Sequence, residues 1–166
     1  MTHNTFMIDQ IEVQMSGLFT THHYFQAEGE MLGELTCPAF GQQAIFQAGD
    51  GRTLGVRKTS LLGSSYELVE ANSARGTAGP RKVFSREISV HYEGTAYLLR
   101  PEGVFSRDWF LVDAQGSTLL EIQPRGVFKQ GAFLYPRQVL DFDLVVFAYY
   151  LVHVRQQEEA AAAAAS

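Results

Sequence analysis

The residues of this 166-residue chain best suited to hold a ligand are five cations in two short clusters, Arg57-Lys58 and Arg81-Lys82 with Arg86. A guanidinium can grip phosphate through two parallel N–H donors, and an ammonium adds a point charge. On the rim of a fold these five would meet a phosphorylated headgroup. Each contributes about 1 kcal/mol at an anionic membrane, so two or three give a weak grip. Acidic neighbours such as Glu70 and Glu87 offer the plainer role of solvated ion pairs.

Other chemistry-bearing residues lack the company that catalysis or metal binding needs. His22 and His23, with His3 and His91, are candidate metal ligands. Adjacent residues of a strand project to opposite faces, so His22 and His23 do not converge on one metal. Asp141 and Asp143 form a D-x-D pair at the start of an apolar segment. There a carboxylate caps the helix and offsets its dipole. His153 is polar within apolar surroundings, suited to a buried base, a pH switch or a residue at a barrel mouth. Cys37 stands between Thr36 and Pro38 with no nearby base, which favours a small buried side chain. Ser60, Ser64, Ser65 and Ser106 fall near turns, and none lies in a G-x-S-x-G elbow. The chain has no phosphate-binding glycine loop, dinucleotide fingerprint or H-E-x-x-H pair. No catalytic residue, metal or cofactor is expected.

Composition narrows the class. Hydrophobic residues make up 46% and charged residues 19%, as in ordinary globular domains. The formal net charge of −5 and the lack of a basic stripe argue against nucleic acid. One cysteine excludes an intramolecular disulfide, in keeping with a reducing compartment. Met1 to Gln10 shows no secretory signal pattern. Phe142 to Val154 is apolar apart from Asp143 and His153, yet too short to span a bilayer. A cytoplasmic protein, at most peripheral to a membrane, is expected.

The elements that must position these residues read mostly with period two. Ile11, Val13 and Met15 alternate with polar residues, as do Ile88, Val90 and Tyr92. Glycine turns at Glu28-Gly29, Asp50-Gly51, Gly63-Ser64, Glu93-Gly94, Gln115-Gly116 and Gln130-Gly131 predict hairpins. Ala71 to Pro80 is small, polar and glycine-bearing, and is expected to be a mobile connection. Phe40 to Leu68 and Phe105 to Leu134 share an order of elements about 65 residues apart, which suggests two similar halves. One helix is expected from Val139 to Gln157. The domain is taken as 1–157, with 158–166 an alanine-rich tail.

The predicted helix is apolar on every side from Leu144 to Val152, so it needs partners all round. Roughly a dozen strands closed into an antiparallel barrel around it would provide them. Trp109 and the tyrosines then belong to the core. The run Phe105-Ser106-Arg107-Asp108-Trp109-Phe110-Leu111-Val112-Asp113, the duplicated half and the closing apolar helix resemble the Tubby C-terminal-like group. That group includes plant LURP-one-related proteins and phospholipid scramblases. The resemblance implies a mainly β, twelve-stranded closed barrel around a hydrophobic C-terminal helix. It also implies a non-catalytic module for anionic phospholipid headgroups or a membrane-associated surface. The proline-rich extension and cysteine cluster of the scramblases are missing. A protein-interaction domain without a small ligand, and a small barrel enzyme, are the alternatives.

Overall fold

A computed structural model describes residues 7–39, 43–60, 63–125 and 130–166. Among these residues twelve strands follow in succession: β1 (Ile11–Ser16), β2 (Thr21–Ala27), β3 (Glu30–Cys37), β4 (Ala44–Ala48), β5 (Thr53–Lys58), β6 (Tyr66–Glu70), β7 (Ser73–Pro80), β8 (Ile88–Tyr92), β9 (Thr95–Pro101), β10 (Trp109–Val112), β11 (Thr118–Pro124) and β12 (Gly131–Pro136). One helix follows, α1 (Phe142–Ala165). Each strand pairs antiparallel with its sequence neighbours, and β1 pairs with β12 to close the barrel. Closure removes the unpaired strand edges that would recruit other chains.

Alternation sets the two faces of the wall. Ile11 and Val13 of β1 are buried while Glu12 and Gln14 point outward, and Ile88, Val90 and Tyr92 of β8 repeat the pattern against His91. A slip of one residue would turn every apolar side chain outward, so burial fixes the register.

The helix fills the barrel. Asp141 is its N-cap and accepts the Asp143 N–H at 3.0 Å, a contact worth about 1 kcal/mol. Leu144 to Tyr149, Leu151 and Val152 are buried, on all sides of the helix. Phe25 stands edge-on to Phe46, Phe142 and Tyr149, with ring centroids 5.7, 5.9 and 5.2 Å away. Trp109 is fully buried in the same core.

Three sequence expectations need correction. The helix begins at Phe142, not Val139, because Asp141 is the cap. It also continues past Gln157 to Ala165, since alanine is the strongest helix former. Finally, most of Ala71 to Pro80 is strand β7, paired to β6 over residues 73–78 with a bulge at Arg75 and to β8 over 76–80, with only Ala71-Asn72 as a turn. Its small residues thin the wall beside the helix. A Cβ on Gly76 would lie 3.2 Å from the Phe147 ring and 3.1 Å from the His91 carbonyl oxygen. The two halves are regular: β9, β10, β11 and β12 each start 65 residues after β3, β4, β5 and β6. Phe40, which opens the first copy of the repeat, lies outside the described residues.

The meander gives the barrel two unlike ends. The turn end carries the short links β2–β3, β4–β5, β6–β7, β8–β9 and β10–β11, and the helix enters there. The loop end carries the links β1–β2, β3–β4, β5–β6, β7–β8, β9–β10 and β11–β12, which are mostly longer.

Candidate functional site

All five cations singled out in the sequence stand at the loop end. Arg57 and Lys58 finish β5, and Arg81, Lys82 and Arg86 belong to the β7–β8 link. Arg57 donates to Glu67 at 2.8 Å and Arg81 to Glu87 at 2.7 Å. Arg86 is more deeply engaged. It donates to both carboxylate oxygens of Glu159 at 2.8 and 3.2 Å and to the carbonyls of Gly103 and Val104 at 3.3 and 3.2 Å. Its guanidinium also lies 5.4 Å over the Trp109 ring centroid. Arg86 therefore ties the helix, the β7–β8 link and the β9–β10 link together. Lys58, Lys82 and Arg107 are exposed at this end and have no carboxylate partner among the described residues.

The far end of the helix is anchored here as well. Ser64 donates to Glu158 at 3.3 Å, Arg155 donates to the Ser85 carbonyl, and Gln156 donates to the Arg107 carbonyl at 3.3 Å. Burial, then the nearby Glu158 carboxylate, pushes the Tyr66 phenol up to about 12. Residues 158 and 159, placed in a tail by the sequence, thus hold the rim.

A cleft of about 380 Å3 opens at the loop end beside the helix, lined by Met15, Arg125, Tyr149, Val152, His153 and Gln156. His23 lies behind it, fully buried, with its ring nitrogens 2.7 Å from the Tyr149 hydroxyl and 2.9 Å from the Thr21 hydroxyl. The His153 ring stands 4.6 Å from His23, centroid to centroid, and its Nε2 has no partner among the described residues. Burial, then the neighbouring His153, lowers His23 to about 3, and burial lowers His153 to about 4. Both rings are neutral at pH 7, so this pair forms a polar seam within the core. His22 points the other way, 2.8 Å from Glu34, and His91 is exposed on the outer wall. His3 lies outside the described residues. Among those residues no three His, Cys, Asp or Glu side chains converge on a metal position. Cys37 is half-buried, and burial pushes its thiol up to about 12, far from a nucleophile's range.

At the turn end the D-x-D pair divides its work. Asp141 caps the helix and accepts the Tyr92 hydroxyl at 2.5 Å. Asp143 is fully buried and takes a bidentate grip from Arg52, at 2.7 and 3.1 Å, with Arg75 bound to the same carboxylate. Arg75 reaches Glu70 at 3.0 Å, Glu93 at 2.7 Å and the Tyr92 hydroxyl at 2.6 Å. Hydrogen bonds donated to Asp143, then to Asp50, raise Arg52 above its ordinary value. A cleft of about 260 Å3 adjoins this knot, floored by Leu32, Leu140 and Phe142. Every polar group in the knot serves another, which suits a clamp between helix and wall.

Family models, curated proteins and solved structures give no match to this chain. The functional reading therefore rests on the chain's own residues and their geometry.

Sequence reasoning missed the apolar pairs at the tips of the loop-end links: Leu18-Phe19, Val83-Phe84 and Val104-Phe105. The signal was present as Val-Phe-Ser-Arg followed by an acid, at 83–87 and again at 104–108.

Proposed function

We propose that the chain is a non-catalytic binding module that docks on anionic lipid headgroups through the loop end of its barrel. The observation that carries this reading is the unequal balance of charge at the two ends of the barrel, with unpaired cations left at the loop end. Glu28, Glu30, Asp50, Glu70, Glu93 and Asp113 gather at or beside the turn-end links. At the loop end Arg57, Lys58, Arg81, Lys82, Arg86, Arg107 and Arg125 stand among Glu67, Glu87, Glu102, Asp108, Glu158 and Glu159, and Lys58, Lys82 and Arg107 have no ion-pair partner among the described residues. An anionic surface attracts one end and repels the other, which orients the molecule as it approaches. The resemblance to Tubby-like barrels supports the same reading. Among the described residues no helix is long and apolar enough to cross a membrane. Three free cations at about 1 kcal/mol each give weak, salt-sensitive attachment.

The test is co-sedimentation with phosphatidylcholine vesicles, with and without phosphatidylserine, at low and high salt. Binding is expected only with the anionic lipid, weakening as salt rises. The Lys58→Glu/Lys82→Glu/Arg107→Glu variant is expected to lose it. Equal binding to neutral vesicles, or no response to the charge reversal, would sink the headgroup reading.

A further inference from the structure

We infer that the apolar pairs at the loop tips insert into the outer acyl region of an anionic bilayer and stand the barrel upright on it. This rests on the loop end being the membrane-facing end, and it names the partner as a bilayer, not a free phosphate or a soluble headgroup.

Phe84 and Phe105 are 103% and 98% exposed, Val83 and Val104 82% and 80%, and Leu18 and Phe19 91% and 77%. Single exposed apolar residues are common on protein surfaces. Here three adjacent pairs, from three separate links, crowd onto one end.

Two of those links are the same device. In residues 81–87 the Arg81 N–H donates to the Glu87 carbonyl at 3.0 Å, and in 102–108 the Glu102 N–H donates to the Asp108 carbonyl at 2.8 Å. Inside each loop a tight turn closes, from the Ser85 N–H to the Lys82 carbonyl at 3.1 Å and from the Ser106 N–H to the Gly103 carbonyl at 3.3 Å. The Ser85 and Ser106 hydroxyls then accept from the Glu87 and Asp108 N–H groups, both at 3.1 Å. Val83-Phe84 and Val104-Phe105 thus occupy the two corner positions of their turns. Turn corners favour glycine, proline, asparagine and aspartate. A valine and a phenylalanine there contradict local preference twice, at equivalent positions.

Phe84 adds a conformational cost. Its φ of +64° lies in the left-handed region that favours glycine. Strain held at an exposed aromatic points to display of that side chain, since it gains no packing in return. Arg86 braces both loops, through the Gly103 and Val104 carbonyls and through Glu159. These hydrogen bonds fix the backbone of the two tips.

Topology selects a planar partner. With twelve strands in sequence order, the β1–β2 link stands across the rim from the β7–β8 link. Leu18-Phe19 and Val83-Phe84 therefore project from opposite sides of the mouth. A flat bilayer meets opposed prongs together, whereas a protein partner is read through a contiguous buried centre. The charges agree: Lys82 precedes Val83-Phe84 and Arg107 follows Phe105-Ser106. Cations beside aromatic and aliphatic tips suit the boundary between headgroups and acyl chains. The outer wall carries Glu34, Gln47, Arg57, Glu67, Arg100 and Glu121, so the barrel stands on the bilayer and does not offer it an apolar belt.

The experiment places a reporter at a tip. Phe105→Trp in the full chain is mixed with phosphatidylserine/phosphatidylcholine vesicles whose acyl chains carry bromine. Native Trp109 is fully buried, so wild type supplies the background. Insertion predicts quenching of the new indole. A Phe84→Asp/Phe105→Asp variant is expected to bind vesicles at least about a hundredfold more weakly, with its thermal midpoint retained because both positions are exposed. Anionic-vesicle binding without quenching, and indifferent to the Asp variant, overturns insertion and leaves the headgroup reading standing. Quenching that is equal on phosphatidylcholine alone supports insertion and removes the headgroup reading. No vesicle binding overturns the inference, and self-association lost in the Asp variant would then assign the tips to a second copy of the chain.

Discussion

The two ends of this barrel solve opposite problems with the same strands. At the turn end, polar groups are turned inward and consumed: Asp143 is fully buried and gripped by Arg52 and Arg75, and Asp141 caps the helix while accepting Tyr92. At the loop end, apolar groups are turned outward and left uncovered, and Lys58, Lys82 and Arg107 stay free of described carboxylates. Backbone geometry divides in the same way. Glu28, Ala71, Asn72 and Glu93 take positive φ at the turn end, where tight hairpins demand it. Phe84 takes positive φ at the loop end, where a longer loop has no such demand. One end joins helix to wall, and the other leaves apolar pairs and cations exposed.

The sharpest way to break the comparison is to remove the centre of the turn-end knot. Asp143→Asn keeps the side chain's shape and deletes its charge. Arg75, 11% exposed, is then left with weaker compensation, while Arg52 at 36% recovers part of its loss from water. A destabilisation of about 3 kcal/mol is expected, from the cost of breaking a buried ion pair, measured by chemical denaturation. Binding of the still-folded protein to anionic vesicles is expected to be unchanged. A variant as stable as wild type would show that the knot is ornamental, and a fall in vesicle binding at constant folding would show that the two ends are coupled.

Beneath the loop end the buried polar groups are neutral, which gives this region its own pH signature. Burial lowers His23 and His153 from 6.5 in the unfolded chain to about 3 and about 4 in the folded protein. Between those values the unfolded chain binds protons that the folded protein does not, so stability falls as pH falls below 6.5. The loss by pH 5 is about 2 kcal/mol per histidine. Thermal midpoints measured from pH 7.5 to 5 are expected to drop, and His153→Leu is expected to drop about half as steeply. A flat profile would mean that solvent reaches the pair.

The barrel was legible because its hairpin turns recur and because Leu144 to Val152 leaves the helix no polar face. The repeat was legible through its 65-residue spacing. Strand β7 was not, since its small residues read as a loop until Phe147 is seen to need the space that Gly76 leaves. The five cations were legible as residue types, and the meander then put them on one end. Which of them are free was not legible, because Glu67 and Glu159 reach Arg57 and Arg86 only through pairing and helix placement. Val83-Phe84 and Val104-Phe105 escaped notice because an apolar pair in sequence reads as core, and only the turn geometry turns it outward.

The smallest effect discriminates best between display and accident at Phe84. Phe84→Gly relieves a left-handed backbone that costs a non-glycine residue about 1 kcal/mol or more. The freedom of glycine in the unfolded chain returns part of that gain. A net stabilisation of about 0.5 to 1 kcal/mol is expected, near 2 °C in thermal midpoint for a domain of this size. Phe105→Gly is the control. Phe105 occupies the equivalent turn corner without positive φ, so the same substitution there relieves nothing and is expected to lower stability slightly. Both variants remove one exposed phenylalanine and are expected to weaken vesicle binding alike. Opposite shifts in stability with equal losses in binding would mean that Phe84 is held at a thermodynamic cost for the surface it meets. Equal shifts in stability would place the strain elsewhere in the loop and remove it as support for insertion.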